Sequence, residues 1–353
     1  MSSLKKSRIE TLDWLRGLMA IAIMLYHLTY WIIFPIDASN PLGRLGIYGV
    51  SIFFVLSGLS MSIVYNTYFK TVRTFFVFFA RRLFRIWPLF WVVSFLAILP
   101  QIIKTGVFSW KFFIINSTTL FGFINPTAYI PTGAWSIGNE MVYYVLTPFI
   151  FLLFNYKKCL GNVFFAFTTG VGLYFAFALL DPYLTLTEQW AIYVNPFNNF
   201  FLYVMGIFIY YNFKDINIKP KVNLLLLLSA VLFFSLLPFE GDSMIIVSGV
   251  GRIVFVVISF FIVLSFYKLE ITLPTFLNTT LETFGIATYG VYLIHPIVYS
   301  YLKVLLEKLN IYSSFSIFTS TVLLTIVFSI LSYNLFEKRL IIIGKKLTSS
   351  KAE

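Results

Sequence analysis

The sequence predicts an all-α fold: a polytopic integral membrane helical bundle of about ten transmembrane helices, with both termini cytoplasmic. Three observations carry that reading. The 353 residues are 59% hydrophobic and only 11% charged, with a mean hydropathy of +0.88, far outside the range of a soluble globular domain. Apolar runs of about 18–24 residues recur along the chain, each long enough to cross a hydrocarbon core. The basic residues fall mainly on one side once alternate crossings are assigned.

Taken in order, spans are expected at about 12–34, 47–66, 86–103, 135–154, 161–180, 197–213, 222–238, 244–266, 284–306 and 313–335. The first contains Asp13, Arg16 and His27 and is followed by no small-residue cleavage site, so it is not a removable signal. With the N-terminus inside, Lys5, Lys6, Arg8, Arg16, Lys70, Arg73, Arg81, Arg82 and Arg85 lie inside. So do Lys157, Lys158, Lys214, Lys219, Lys221, Lys268, Lys338, Arg339, Lys345, Lys346 and Lys351. Arg44, Lys104, Lys111, Arg252, Lys303 and Lys308 remain on the outer side. Twenty of the 26 basic residues thus share one face. The net charge of +12 is therefore assigned to topology and anionic membrane lipid, with no nucleic-acid partner. An odd number of crossings is the competing count, and it turns on 104–134 and 222–238.

Between the first spans, residues 67–85 mix aromatics with Lys70, Arg73, Arg81, Arg82 and Arg85 and read as an amphipathic helix on the inner surface. The stretches 67–85, 104–134 and 267–283 are too short to bury a core of their own. One transmembrane domain is therefore expected over 1–353, with its core at about 10–340 and no appended soluble domain. The single cysteine, Cys159, excludes an intrachain disulfide and reads as a packing residue.

Four polar clusters interrupt the apolar background. Arg16 and His27 are eleven residues apart, about three helical turns or roughly 16 Å, which returns both to one face. Arg16 then lies near the inner surface and His27 near mid-depth, and ionisable groups placed there are costly and usually functional. The bland alternative is that Asp13 neutralises Arg16 and His27 is a satisfied core histidine. In RRLFRIWP (81–88), Arg82 and Arg85, or Arg81 and Arg85, share a face before Pro88, a spacing suited to bidentate phosphate binding. An ordinary basic flank is the competing account. In WSIGNEMVYY (135–144), Ser136, Glu140 and Tyr143 or Tyr144 recur at helical spacing just below the outer surface. There Glu140 faces a polar cavity or pairs with Arg252. In TYGVYLIHP (288–296), Thr288, Tyr292, His295 and Tyr299 form a stripe. It sets His295, the only other histidine, at the depth of His27, unless His295 serves a helix kinked by Pro296.

These segments resemble the membrane acyltransferase-3 family from about residue 10 to 340. The resemblance rests on LDWLRG with its Arg16-to-His27 spacing, GVSIFFVLSGL (49–59) and FARRLFRIWPLFW (79–91). It continues through WSIGNEMVYY, YGVYLIHP (289–296) and SYNLFEKRL (332–340), in that order. Arg339 stands where the family usually has proline, and Thr288 where it has serine. The resemblance implies transfer of an acyl group, most often acetyl, from acetyl-CoA (acyl-CoA) in the cytoplasm to a hydroxyl of an extracytoplasmic carbohydrate, without a metal. It also implies functional roles for Arg16, His27, Arg82, Arg85 and Glu140.

In that chemistry the inner arginines hold the phosphates of coenzyme A, and neutral His27 removes the acceptor's proton or becomes transiently acylated. Asn139, Tyr143 and Tyr144 are candidate donors to the oxyanion, with Ser136, Tyr292 and His295 around them. Glu140 is expected on the opposite side of His27 from the donor arginines. A proton-coupled secondary transporter, using the buried Arg, His and Glu as a relay, is the alternative. A phosphate clamp has no evident job there. A non-catalytic assembly subunit would explain none of the four clusters.

Overall fold

The structure, a computed structural model, describes residues 9–310 and 313–349. Lys5, Lys6, Arg8 and Lys351 lie outside the described residues. Ten apolar helices form a bundle, and no strand occurs among the described residues. They are α1 (Glu10–Ile32), α2 (Pro41–Tyr65), α3 (Val72–Thr105), α4 (Trp135–Tyr156) and α5 (Lys158–Leu179, its last turn π-helical). There follow α6 (Pro196–Phe213), α7 (Pro220–Leu236), α8 (Gly249–Tyr267), α9 (Thr275–Lys308) and α10 (Ser314–Ser332). Nine of these elements are long and apolar enough to cross a membrane, while α7, with 17 residues, is shorter. A π-helical turn, Tyr333–Glu337, joins α10 to α11 (Lys338–Ser349).

Successive helices alternate in direction. The start of α1 therefore shares one end of the bundle, here the basic end, with the end of α2, the start of α3 and α11. Local sequence sets several boundaries. Asn40 accepts a hydrogen bond from the Leu42 amide, with Pro41 in the first turn of α2. Thr71 and Thr74 cap α3 reciprocally, and Gly106 ends it at φ +67°. Two glycine contacts draw helices close enough for side chains to meet across them. Gly58 of α2 faces the Tyr203 backbone and Gly206 of α6 faces Val55, with no room for a Cβ at either. Gly17 of α1 lies against Gly285 of α9 in the same way, a Cβ there falling 2.8 Å from the Gly285 nitrogen.

The expectations for the third span and for Cys159 change. The surface helix expected at 67–85 begins only at Val72 and runs unbroken into the span at 86–103, one helix of 34 residues with Pro88 and Pro100 inside it. Arg82 consequently sits ten residues, about 15 Å, along α3 rather than in a surface segment. In α1, a helix of 23 residues, His27 lies five residues from the end opposite Arg16. Cys159 is exposed at the start of α5 and packs in no core. Arg44, expected among the outer cations, is buried. It donates to the carbonyls of Ala38, Phe234, Ser235 and Leu237 at 2.6–3.0 Å. It thereby closes the carbonyl end of α7, where a cation is favoured.

Candidate active site: a charged cavity and a histidine pair

A cavity of about 580 Å³ runs between α1, α2, α3, α4, α9 and α11. On α2 its lining extends from Val50 to Val64, a depth of about 21 Å. Arg16, Arg82, Arg85, Ser136, Glu140, Tyr144 and Tyr292, each singled out in the sequence, line it together. Helix periodicity explains the grouping on α4, where Ser136, Glu140 and Tyr144 follow at intervals of four and share one face.

Each charge in the cavity is held differently. Arg16 Nη1 pairs with Asp13 Oδ1 at 2.6 Å, and Nη2 donates to the Ser60 hydroxyl. Neutralisation by Asp13 therefore does occur, and Arg16 still faces the cavity. Arg82 is buried and donates from Nη2 to Tyr65 at 3.0 Å. Its guanidinium lies 5.3–5.9 Å from the rings of Tyr65, Phe78 and Tyr144, an aromatic seat that favours a cation. Arg82 Nε makes no hydrogen bond among the described residues. Glu140 accepts from Ser57 Oγ at 2.5 Å and from the Tyr144 hydroxyl. It makes no pair with Arg252, which instead bonds the Asn198 carbonyl and Asn199 Oδ1 at 3.2 and 2.9 Å. Glu140 and the α3 arginines thus share one cavity, contrary to the expected separation by His27, because α3 carries its arginines deep into the bundle.

Three predicted site residues point elsewhere. Arg81 Nε donates to Thr348 Oγ1 at 2.9 Å, joining α3 to α11 outside the cavity lining. Tyr143 donates to the Pro196 carbonyl at 2.7 Å against α6. Asn139 is fully buried off the cavity face. Of the three proposed oxyanion donors, only Tyr144 reaches the cavity.

His27 and His295 form a second region. The lining on α1 ends at Arg16 and that on α9 at Tyr292, three residues short of His295. At this boundary Phe53 packs edge-on against Tyr292, with ring centroids 6.1 Å apart. The Tyr292 hydroxyl lies 2.9 Å from both Ser136 Oγ and the Gly133 carbonyl. Beyond it, His27 Nδ1 is 2.9 Å from His295 Nε2. His295 Nδ1 is 2.8 Å from the Val291 carbonyl. Trp31 stacks on His27 at 4.9 Å and 7°, and Tyr299 stacks on Trp31 at 5.2 Å.

Several lining residues escaped the sequence reading. Ser57 and Ser60 look like ordinary small residues of a span; their i, i+3 spacing on an apolar helix was the available signal. Glu337 is buried, accepts from Ser332 Oγ at 2.9 Å and lines the cavity with Lys345. Its motif, SYNLFEKRL, carries no sequence signal that assigns the carboxylate a role. Among the described residues no group of three or more His, Cys, Asp or Glu side chains could hold a metal ion.

A bundle of apolar helices enclosing arginines, carboxylates and a histidine pair defines an integral membrane protein with an intramembrane polar site. Over residues 9–334 the chain matches the family model described as an acyltransferase domain, and it belongs to the acyltransferase-3 family. It is accordingly a multi-pass membrane acyltransferase. No curated protein and no solved structure shows significant similarity to it.

Proposed function

We propose that the protein transfers an acyl group, acetyl in the first instance, from cytoplasmic acyl-CoA to a hydroxyl of a carbohydrate on the opposite side of the cell membrane. The observation that carries this reading is the grouping of Arg16, Arg82 and Arg85 with Glu140 in one cavity near the basic end of an acyltransferase-3 chain. The bias of basic residues toward that end supports a cytoplasmic face there. Arg82 and Arg85, with Lys345, then meet the phosphates of the donor, where planar guanidinium groups can bind bidentately. The cavity is of small-ligand size and suits the thioester arm more than the whole nucleotide.

The acyl carbon must next reach His27, past the contact of Phe53 with Tyr292. There the acceptor's oxygen attacks the thioester carbon, His27 takes its proton, and the thiolate leaves and is reprotonated. Tyr144 and Arg16 line the cavity through which the thioester approaches, on the near side of that contact. No metal enters this scheme. The test is transfer of label from acetyl-CoA, loaded inside right-side-out vesicles, to an external glycan. Labelled glycan with an intact vesicle barrier is the expected result. Absence of labelled glycan across a panel of envelope polysaccharides, together with proton-driven movement of an unmodified solute, would replace this reading with the transporter.

A further inference from the structure

His295 is buried, lines no part of the charged cavity, and yet has a hydrogen-bonding partner at each ring nitrogen. Those two contacts determine where the hydrogens sit. A backbone carbonyl can only accept, so His295 Nδ1 bears a hydrogen directed at the Val291 oxygen. In the neutral ring Nε2 then bears a lone pair, and its 2.9 Å contact can be satisfied only by a hydrogen on His27 Nδ1. A flipped His295 ring would put carbon atoms at both contacts, so the assignment follows from the network. The second nitrogen of His27, Nε2, is left as a lone pair with no protein partner among the described hydrogen bonds.

We propose that His295 is a positioning residue that fixes His27 in its Nδ1–H tautomer, so that His27 Nε2 is the atom that takes the acceptor's proton. A carboxylate commonly has this role beside a catalytic histidine, holding the ring and stabilising the imidazolium; here a neutral imidazole anchored on a helix carbonyl does so. When the acceptor oxygen bonds to the acyl carbon, its hydrogen moves to His27 Nε2. The imidazolium is held by His295 Nε2 on one edge and by the face of Trp31, stacked at 4.9 Å. The same proton then passes to the departing thiolate, leaving an ester and a thiol and restoring the starting tautomer. Pro296 supports the geometry because it contributes no amide, leaving the Tyr292 carbonyl without its usual helical partner beside the ring.

The role rests on His27 being the base, but its central claim can be measured without turnover. The chain has two histidines, so protein labelled with ¹⁵N in its imidazoles reports on this pair alone. Both rings of the purified protein should be protonated at Nδ1. His295→Gln, whose amide oxygen still accepts, should keep His27 in that form. His295→Leu should release His27 toward the Nε2–H form that predominates in water. In the transfer assay His295→Leu should lower kcat at least about tenfold, short of the 10²–10⁴ contributed by a base itself, with KM for acyl-CoA unchanged. His295→Gln should recover most of that loss. Finding Nε2–H on His27 in the unaltered protein, or equal kcat for the Leu and Gln variants, would overturn the proposal. A protein that transfers no acyl group fails the broader reading while leaving the tautomer result intact.

Discussion

The histidine pair sits on two of the helices that line the charged cavity, α1 and α9, and the two regions are built from opposite materials. Arg16, Arg82 and Arg85 are permanently ionised, and Asp13, Glu140 and Glu337 stand in the same lining. The pair contains only imidazoles, a backbone carbonyl and a stack of aromatic rings. Fixed charge suits a ligand whose own charge is fixed, such as a phosphate. A group that must gain and lose a proton within one turnover has to be able to exist neutral. Helix α1 holds one of each, Arg16 and His27, about 16 Å apart along its axis. Phe53 and Tyr292 meet between the two regions. Under the proposed function, the separation makes donor binding and proton transfer distinct tasks, joined by the thioester arm that reaches from one region to the other.

Removing His27 tests that separation most severely. His27→Ala should reduce acceptor modification by 10²–10⁴-fold, the usual contribution of a positioned base, while acyl-CoA binding to the purified protein stays within about twofold of the starting value. Loss of donor affinity along with activity would show that the histidine region also holds the donor, and the two regions would have to be treated as one.

The arginines should give the converse pattern. Arg85→Ala is expected to weaken acyl-CoA binding about tenfold or more, in line with losing a charge-assisted pair, with Arg85→Lys recovering only part of it. Arg82→Ala should do the same and also lower thermal stability, since Arg82 fills a seat formed by Tyr65, Phe78 and Tyr144. Binding measured directly, beside kcat at saturating donor, distinguishes the two effects. Unchanged affinity in the Arg82→Ala, Arg85→Ala double variant would reduce both to topological charge.

How much of this was legible in the sequence depended on the distance over which each feature is decided. Hydropathy and turn periodicity are local, so the helices and the Ser136, Glu140, Tyr144 face could be read directly. Pro88 suggested a boundary because proline removes a helical bond. In this bundle α3 continues through it, and the Tyr289 hydroxyl of α9 donates to the nearby Ile86 carbonyl at 2.7 Å. The meeting of His27 with His295 is a contact between helices far apart in the chain. Depth could bring them to one level, but their meeting also needs α1 and α9 to pack side by side, closely enough at Gly17 and Gly285 to leave no room for a Cβ. Glu337 was hidden by a different device. The π-helical turn Tyr333–Glu337 shifts the register of the final helix, so a count at 3.6 residues per turn does not show which face it presents.

The smallest expected effect is the sharpest test of geometry against bulk charge. Arg81, Arg82 and Arg85 carry the same charge within five residues, and spacing alone allows Arg81 to pair with Arg85 as readily as Arg82 does. The structure divides them, with Arg82 and Arg85 lining the cavity and Arg81 bonded to Thr348 of α11. If the cavity recognises the donor by position, Arg81→Ala should leave acyl-CoA affinity within about twofold. It should cost only the roughly 0.5–1.5 kcal/mol of one hydrogen bond in stability. If the donor is drawn by the summed field of the basic flank, Arg81→Ala and Arg85→Ala should weaken binding equally, and both losses should shrink as salt is raised past the point where exposed charges are screened. Titrating acyl-CoA into the two variants at low and high ionic strength separates these outcomes. Equal, salt-sensitive losses would remove the structural distinction between the cavity and the surface around it.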